Sequence, residues 1–281
     1  MYTIFAPAKI NLALDVITKR PDGYHEVDMI MQSIALVDQL TVGLHHQIEL
    51  TCSNHNLPTD QRNIVWRAAK LLQEATGTNR GVKIHITKNI PIAAGLAGGS
   101  SDAAAVMIAL NKIWELGLTK AQLMELGLKL GADVPFCILQ GTARAQGIGE
   151  RLTSLESKLK SLSLLLVTPN IEVPTAYIYG KLQLANILHR PKLEEVILAI
   201  LNGNVGGLNA DWGNVLEEVV LAEVPLLEKV KAFFLSFGLN ENLMSGSGPS
   251  VFAVNPPKEV VEPFLAALPR DWFGCLTYFQ N

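Results

Sequence analysis

A few segments of this 281-residue chain have the residue types and spacing to do chemistry. The densest runs from Pro91 to Asp102, Pro-Ile-Ala-Ala-Gly-Leu-Ala-Gly-Gly-Ser-Ser-Asp, where Leu96 is the only large side chain between Ala93 and Ser101. Backbone built from such small residues can lie directly against a ligand. A helical apolar repeat follows at once, with Ala103, Val106, Met107, Leu110, Ile113 and Trp114 on one face. A small-residue loop running into a helix start aims backbone N–H groups and the positive end of the helix dipole at one point, which suits a phosphate group. No Lys-Ser or Lys-Thr follows the glycines, so this is not a Walker A loop, and the spacing is not that of the dinucleotide-binding glycines. The plainer alternative is a glycine-rich turn before a buried helix.

Three more segments carry ionisable groups. Residues 8–16 alternate, with Ile10, Leu12, Leu14 and Val16 on one side and Lys9, Asn11, Ala13 and Asp15 on the other. A lone lysine on such a polar face belongs more often to a solvent edge than to a polar cleft. Here Asn11 shares the face, and Asp22-Gly23-Tyr24-His25-Glu26 gathers an aromatic ring, an imidazole and two acids into a turn suited to a flat polar ligand. In Gly131-Ala132-Asp133-Val134-Pro135-Phe136, Asp133 reads either as the N-cap of the next turn or as a rigidly flanked carboxylate able to take a proton from a hydroxyl. Met244-Ser245-Gly246-Ser247-Gly248-Pro249-Ser250 is a second small-residue loop that alone reads as a turn.

The elements that must position these groups follow from periodicity. Strands are expected at 8–16, over 27–44 as one or two, at 47–52 and at 82–87. Asn63 caps a helix over 64–75, and Thr119 caps another near 120–130 that Gly131 stops. The polar interval 146–161, with Gly147 and Gly149, is expected to be a loop and a boundary between domains 1–155 and 156–281. A strand at 163–168 then precedes helices at 175–183, 192–202, 213–220 and 225–237. A strand at 250–254, a helix at 257–267 and a strand at 273–279 complete an α+β fold.

Composition narrows the function classes. Apolar residues make up 49% and charged residues 17%, as in a folded globular protein, and the formal charge of −3 argues against a broad nucleic-acid surface. The apolar run Leu162–Val167, broken by Ser163, is far too short to span a bilayer, so no membrane partner is expected. The opening Met1–Pro7 lacks the basic-then-apolar pattern of an export signal, and Cys52, Cys137 and Cys275 form neither a disulfide framework nor a zinc cluster. A cytoplasmic location is the expectation. His45 and His46 have no further ligands at useful spacing. No metal ligand is assigned, and oligomeric state is not legible.

Taken together, Pro7-Ala8-Lys9-Ile10-Asn11-Leu12, the Pro91–Asp102 loop and Gly246-Ser247-Gly248-Pro249-Ser250 resemble the three motifs of the GHMP small-molecule kinases, the group of galactokinase, homoserine kinase, mevalonate kinase and phosphomevalonate kinase. Arg20-Pro21-Asp22-Gly23-Tyr24-His25-Glu26, Leu130–Phe136 and Gly147-Ile148-Gly149-Glu150 are similar to a branch of that family whose acceptor joins a cytosine ring to a methylerythritol through a diphosphate. The likeness runs from about residue 4 to about residue 254. Ala97 stands where many relatives have glycine, and it is small enough for the loop to keep its shape.

The resemblance implies a two-domain α+β fold in which ATP and a small-molecule acceptor meet in the cleft between domains. It implies that Pro91, Ile92, Ala93, Ala94, Gly95, Leu96, Ala97, Gly98, Gly99, Ser100, Ser101 and Asp102 hold the triphosphate, with Asn63 and Lys88 on the adenine side. Asp133 would be the catalytic base and Lys9 its partner. Tyr24, His25 and Tyr179 would hold the cytosine, and Asn11, Pro174 and Thr175 would lie near the erythritol. Mg2+ would bridge the phosphates, with Ser101 a contact.

Overall fold

In the computed structural model, which describes residues 1–280, the alternating segment around Lys9 is the middle of a longer strand, β1 (Tyr2–Lys19), and the next apolar stretch is one strand, β2 (His25–His45). They are followed by β3 (Ile48–Cys52), α1 (Ile64–Thr76), β4 (Gly81–Thr87), α2 (Gly98–Ile113), α3 (Lys120–Leu128), α4 (Val134–Leu139), β5 (Thr142–Gly147) and β6 (Arg151–Ser154). The remaining elements are β7 (Ser163–Thr168), α5 (Thr175–Lys181), α6 (Leu193–Asn202), α7 (Val205–Asp211), β8 (Gly213–Asn214), α8 (Val215–Glu223), α9 (Pro225–Ser236), β9 (Leu243–Met244), β10 (Val251–Val254), α10 (Lys258–Ala266) and β11 (Phe273–Tyr278). The fold is α+β, as expected.

Local signals account for some helix starts. The Asn63 side chain accepts from the Val65 N–H at 2.9 Å, and Thr119 opens α3 with a capping box completed by Gln122. The interval 146–161 departs from the expected loop. It holds the end of β5 and all of β6, an antiparallel pair with Ala143 opposite Ser154 and Gln146 opposite Arg151. Short, polar strands around a glycine turn have no apolar alternation to read.

Two compact units alternate along the chain. The first comprises Met1–Ala8, Leu36–Ile90 and Ala97–Gln140, and the second Lys9–Ala35, Pro91–Leu96 and Gly141 onward. In the first unit β4 pairs with β3 in parallel and with the second half of β2 antiparallel, Gln39 opposite Thr87 and His45 opposite Gly81. Leu40, Val42, Val82 and Ile84 of these strands share one core with Leu72 of α1 and Val106 and Leu110 of α2. Full burial of such a side chain is worth about 1.5–3 kcal/mol.

In the second unit the first half of β2 pairs with β5, Val27 opposite Gly147 and Gln32 opposite Thr142, and β1 takes β8 as a parallel neighbour at Ala13 and Leu14. A four-stranded antiparallel sheet of this unit runs in the order β11-β7-β10-β9. Leu164, Leu165, Leu166 and Val167 of β7 are all buried, so this strand is covered on both faces.

Candidate active site

Within the second unit, β1 is buried on both faces from Lys9 to Val16, which removes the solvent-edge alternative for Lys9. The Lys9 side chain donates to Asn11 Oδ1 at 2.8 Å, and Asn11 Nδ2 in turn donates to Met29 Sδ at 3.3 Å. Lys9 is only 5% exposed and forms no ion pair among the described residues. A buried ammonium whose partner is neutral is a group that an anionic ligand completes.

The small-residue loop is fastened to this strand. The Lys9 N–H donates to the Leu96 carbonyl at 3.1 Å, and the Ser245 hydroxyl donates to the Gly95 carbonyl at 3.0 Å. Gly95 has φ +74°, and a Cβ there would stand 2.2 Å from the Ser245 carbonyl oxygen. Only glycine fits so close an approach. Ala94 and Leu96 point inward, whereas Ile92 and Ala93 are exposed. A Cβ added at Gly246, next to Ser245, would stand 3.4 Å from Lys9 Nζ.

In the first unit the loop continues into α2. Its N-cap is Ala97 in the left-handed conformation, with no side-chain cap, unlike Asn63 and Thr119. The first-turn N–H groups of Gly98, Gly99 and Ser100 therefore have no side-chain acceptor, the arrangement that receives phosphate. Ser101 donates its hydroxyl to the Pro7 carbonyl at 2.7 Å and is buried. That bond ties α2 to the start of β1.

Lys88 lies between two buried carboxylates, Asp38 and Asp102, the latter at 2.9 Å. Asp38 also accepts from the N–H groups of Asn89 at 2.6 Å and Ile90 at 2.9 Å. Burial opposes the Lys88 charge, but the two flanking acids outweigh it and raise its pKa. Burial likewise pushes the Asp102 carboxyl up to about 7, with Lys88 pulling the other way, and Asp102 Oδ1 has no hydrogen-bond partner. Asn63 is buried, with its amide nitrogen donating to the Pro58 carbonyl at 2.8 Å. Asp133 occupies the N-cap position of α4, yet its side chain makes no capping bond. Of the two readings of Asp133, side-chain capping is thus the one the geometry lacks.

The aromatic groups belong to the second unit. Arg20 reaches both Asp22 and Glu26, and the Tyr24 N–H donates to Asp22 Oδ1 at 3.1 Å, so the turn before β2 is braced from within. The His25 ring lies 5.2 Å from that of Tyr179 on α5, tilted by 40°. Burial, with the nearby Lys19 charge, lowers the His25 pKa, which leaves a neutral imidazole with one donor and one acceptor. Tyr24 is exposed, as are Pro174 and Thr175 at the start of α5. The Thr175 and Ser247 hydroxyls are 2.8 Å apart.

The model of the GHMP kinases N terminal domain matches residues 63–141. The 4-diphosphocytidyl-2-C-methyl-D-erythritol kinase of Alkaliphilus metalliredigens (strain QYMF) is 49% identical over 249 residues, 88% of this chain and 85% of its own length. The chain belongs to this kinase family, within the GHMP kinases. The enzyme of the same name from Bacillus cytotoxicus is also 49% identical, over 89% of this chain and 86% of its own. A crystal structure of 4-(cytidine 5'-diphospho)-2C-methyl-D-erythritol kinase superposes with a TM-score of 0.84 at 32% identity, covering 100% of both chains. Homoserine kinase from Cytophaga hutchinsonii shares the fold, at a TM-score of 0.77 and 18% identity, over 99% of this chain and 95% of its own.

For a chain of this family, the sequence left some polar groups unnoticed. Asp38 directly follows the apolar run Ile34-Ala35-Leu36-Val37, and an acid at such a place is a signal of a buried pair. Asp15 pairs with Arg190, 175 positions away, which no local pattern reveals. Among the described residues no three His, Cys, Asp or Glu side chains gather as a metal would need.

Proposed function

We propose that the protein transfers the γ-phosphoryl group of ATP to the 2-hydroxyl of 4-diphosphocytidyl-2-C-methyl-D-erythritol, in the non-mevalonate route to isoprenoid precursors. The observation that carries this choice of acceptor is the ring pair of His25 and Tyr179, at 5.2 Å. A nucleobase needs such a platform, and neither homoserine nor mevalonate has a nucleobase to offer it.

On this reading the Pro91–Asp102 loop holds the triphosphate through its backbone N–H groups, with Asn63 and Lys88 toward the adenine. Asp133 takes the proton of the 2-hydroxyl as its oxygen attacks the γ-phosphorus. The bond from that phosphorus to the bridging oxygen breaks, and ADP leaves with the electron pair. Lys9 steadies the negative charge on the transferring group, and positioning supplies most of the acceleration. His25 reads the cytosine edge, Tyr24 and Tyr179 stack on its faces, and Asn11, Pro174 and Thr175 line the erythritol. Mg2+, when bound, neutralises phosphate charge. The loop's open donors fit a polyphosphate, whereas among the described residues no group of three acidic, His or Cys side chains gathers to hold the ion without one.

The two family domains, 1–155 and 156–281, and a cytoplasmic setting without nucleic-acid partners belong to the same proposal. Among the described residues no helix is long and apolar enough to cross a membrane. The test is ADP release from ATP and Mg2+ with the cytidyl acceptor, its uridyl analogue, homoserine or mevalonate. Turnover is expected with the cytidyl acceptor, about tenfold to a hundredfold less efficiently with its uridyl analogue, and not with homoserine or mevalonate. Preference for homoserine or mevalonate would replace the reading.

A further inference from the structure

One buried amide of the second unit touches the candidate site only through another loop. Asn214 ends β8 and precedes α8, and it is 7% exposed. Its Oδ1 accepts from the Leu216 N–H at 3.0 Å and so caps α8. Its Nδ2 donates twice, to the carbonyls of Met244 at 2.9 Å and Gly246 at 2.7 Å. Two carbonyls converging on one point need two donors, and the capping site needs an acceptor. Asparagine is a short side chain that supplies both.

The turn that Asn214 grips is itself closed, Ser245 N–H to Ser250 O and Gly248 N–H to Ser245 O, each at 2.9 Å. Three contacts lead outward from it. Ser245 donates to the Gly95 carbonyl of the small-residue loop, Gly246 borders Lys9 Nζ, and Ser247 meets Thr175. Glu217, one turn into α8, adds a second hold by accepting from the Met244 N–H at 2.7 Å.

We propose that Asn214 is a positioning residue, which fixes the 244–248 turn and through it sets the Lys9 ammonium, the Gly95 carbonyl and Thr175 in their working places. The inference rests on the kinase reading above for its kinetic consequence but not for its structural one. Asn214→Ser and Asn214→Asp both keep a good cap acceptor for α8, so they isolate the two donated bonds. The aspartate variant also aims negative charge at two carbonyls.

Three measurements on the whole protein decide the matter. Asn214→Ser is expected to fold normally by circular dichroism and to lose about tenfold to a hundredfold in kcat, since small displacements of positioned groups are that costly. Asn214→Asp is expected to lose more. If Asn214 acts through the turn, Asn214→Ser combined with Ser245→Ala loses little more than the worse single variant, because both break one linkage. Multiplied losses, or an Asn214→Ser enzyme with normal kcat, overturn the proposal. Amide hydrogen exchange needs no substrate. Faster exchange across 244–248 and 93–96 in Asn214→Ser is expected, and unchanged exchange overturns the proposal even if the wild-type protein phosphorylates something else. Failure of the wild type on the cytidyl acceptor would refute the kinase reading alone.

Discussion

Gly95→Ala measures how closely the second small-residue loop is pressed against the first. At φ +74° an alanine takes on the left-handed strain of about 1–2 kcal/mol. That alone is tolerable, because Ala93 and Ala97 already sit at φ +52° and +55° on either side. The contact is the larger matter. The new methyl would lie 2.2 Å from the Ser245 carbonyl oxygen, where real Cβ contacts begin near 3.0 Å, so something must move by about 0.8 Å, the difference. Gly248 backbone atoms at 3.1 and 3.2 Å block the easy escape. Overpacking of this kind costs about 1–3 kcal/mol, for a total of about 2–5 kcal/mol with the strain. Gly77→Ala is the control, with φ +68° at the end of α1 and nothing within 4 Å of the added methyl. Urea unfolding and steady-state turnover are to be compared for both variants. The expected result is a larger stability loss in Gly95→Ala, with turnover lowered about a hundredfold, and near-normal turnover in Gly77→Ala. Equal behaviour of the two would refute the claim that the Ser245 carbonyl, rather than the backbone angle, demands glycine.

Other outcomes follow from the remaining site residues. Asp133→Asn and Lys9→Ala are each expected to fold and bind ATP while turnover drops by about 10²–10⁴, and near-normal turnover in Asp133→Asn would remove Asp133 as the base. Burial keeps a proton on folded Asp102 up to about pH 7, whereas an unfolded aspartate releases it near 3.8. The folded state thus holds more protons across that window, so this residue makes stability fall as pH rises from about 4 to about 7. Asp102→Asn is expected to flatten that slope in urea unfolding, and an unchanged slope would mean that the proton lies elsewhere. Tyr24→Ala is expected to weaken cytidyl and uridyl acceptors alike, while His25→Ala removes most of a preference of about tenfold to a hundredfold. Equal kcat/KM of the wild type for the two acceptors would sink the cytosine pocket.

What could be read in the sequence was what lies within a few residues. Asn63 and Thr119 announced their helices because a cap bonds two or three positions ahead. The alternation around Lys9 gave the strand and its polar face, but not the burial of that face. That face meets residues far away in the chain, Asn11 reaching Met29 of β2 and Lys9 lying beside Gly246. The Lys88 cluster was hidden for the same reason, since Asp38 and Asp102 lie on different elements. The β5–β6 hairpin escaped because Thr142–Gly147 mixes small and polar residues without an apolar repeat. The small-residue loops were legible by composition. Their mutual contact at Gly95 and Ser245 was not, because a backbone carbonyl carries no sequence mark.

The alternation of the two units along the chain bears on how the protein is made. Every segment of the first unit ends at or before Gln140, so its chain is complete once that residue has been synthesised. The second unit must wait. β1 and β2 neighbour each other from the start, but Val27 to Gln32 of β2 lack their β5 neighbour until Thr142–Gly147 emerge, and Ala13 and Leu14 of β1 lack their β8 neighbour until Gly213 and Asn214 do. During that interval the nascent protein carries open strand edges bearing Leu12, Leu14 and Ile30, all destined for burial. A product that stops between residues 140 and 212 keeps the edge of β1 exposed for good. Ribosome stalling in that stretch is therefore where this chain is most exposed to aggregation, and where a chaperone has most to hold.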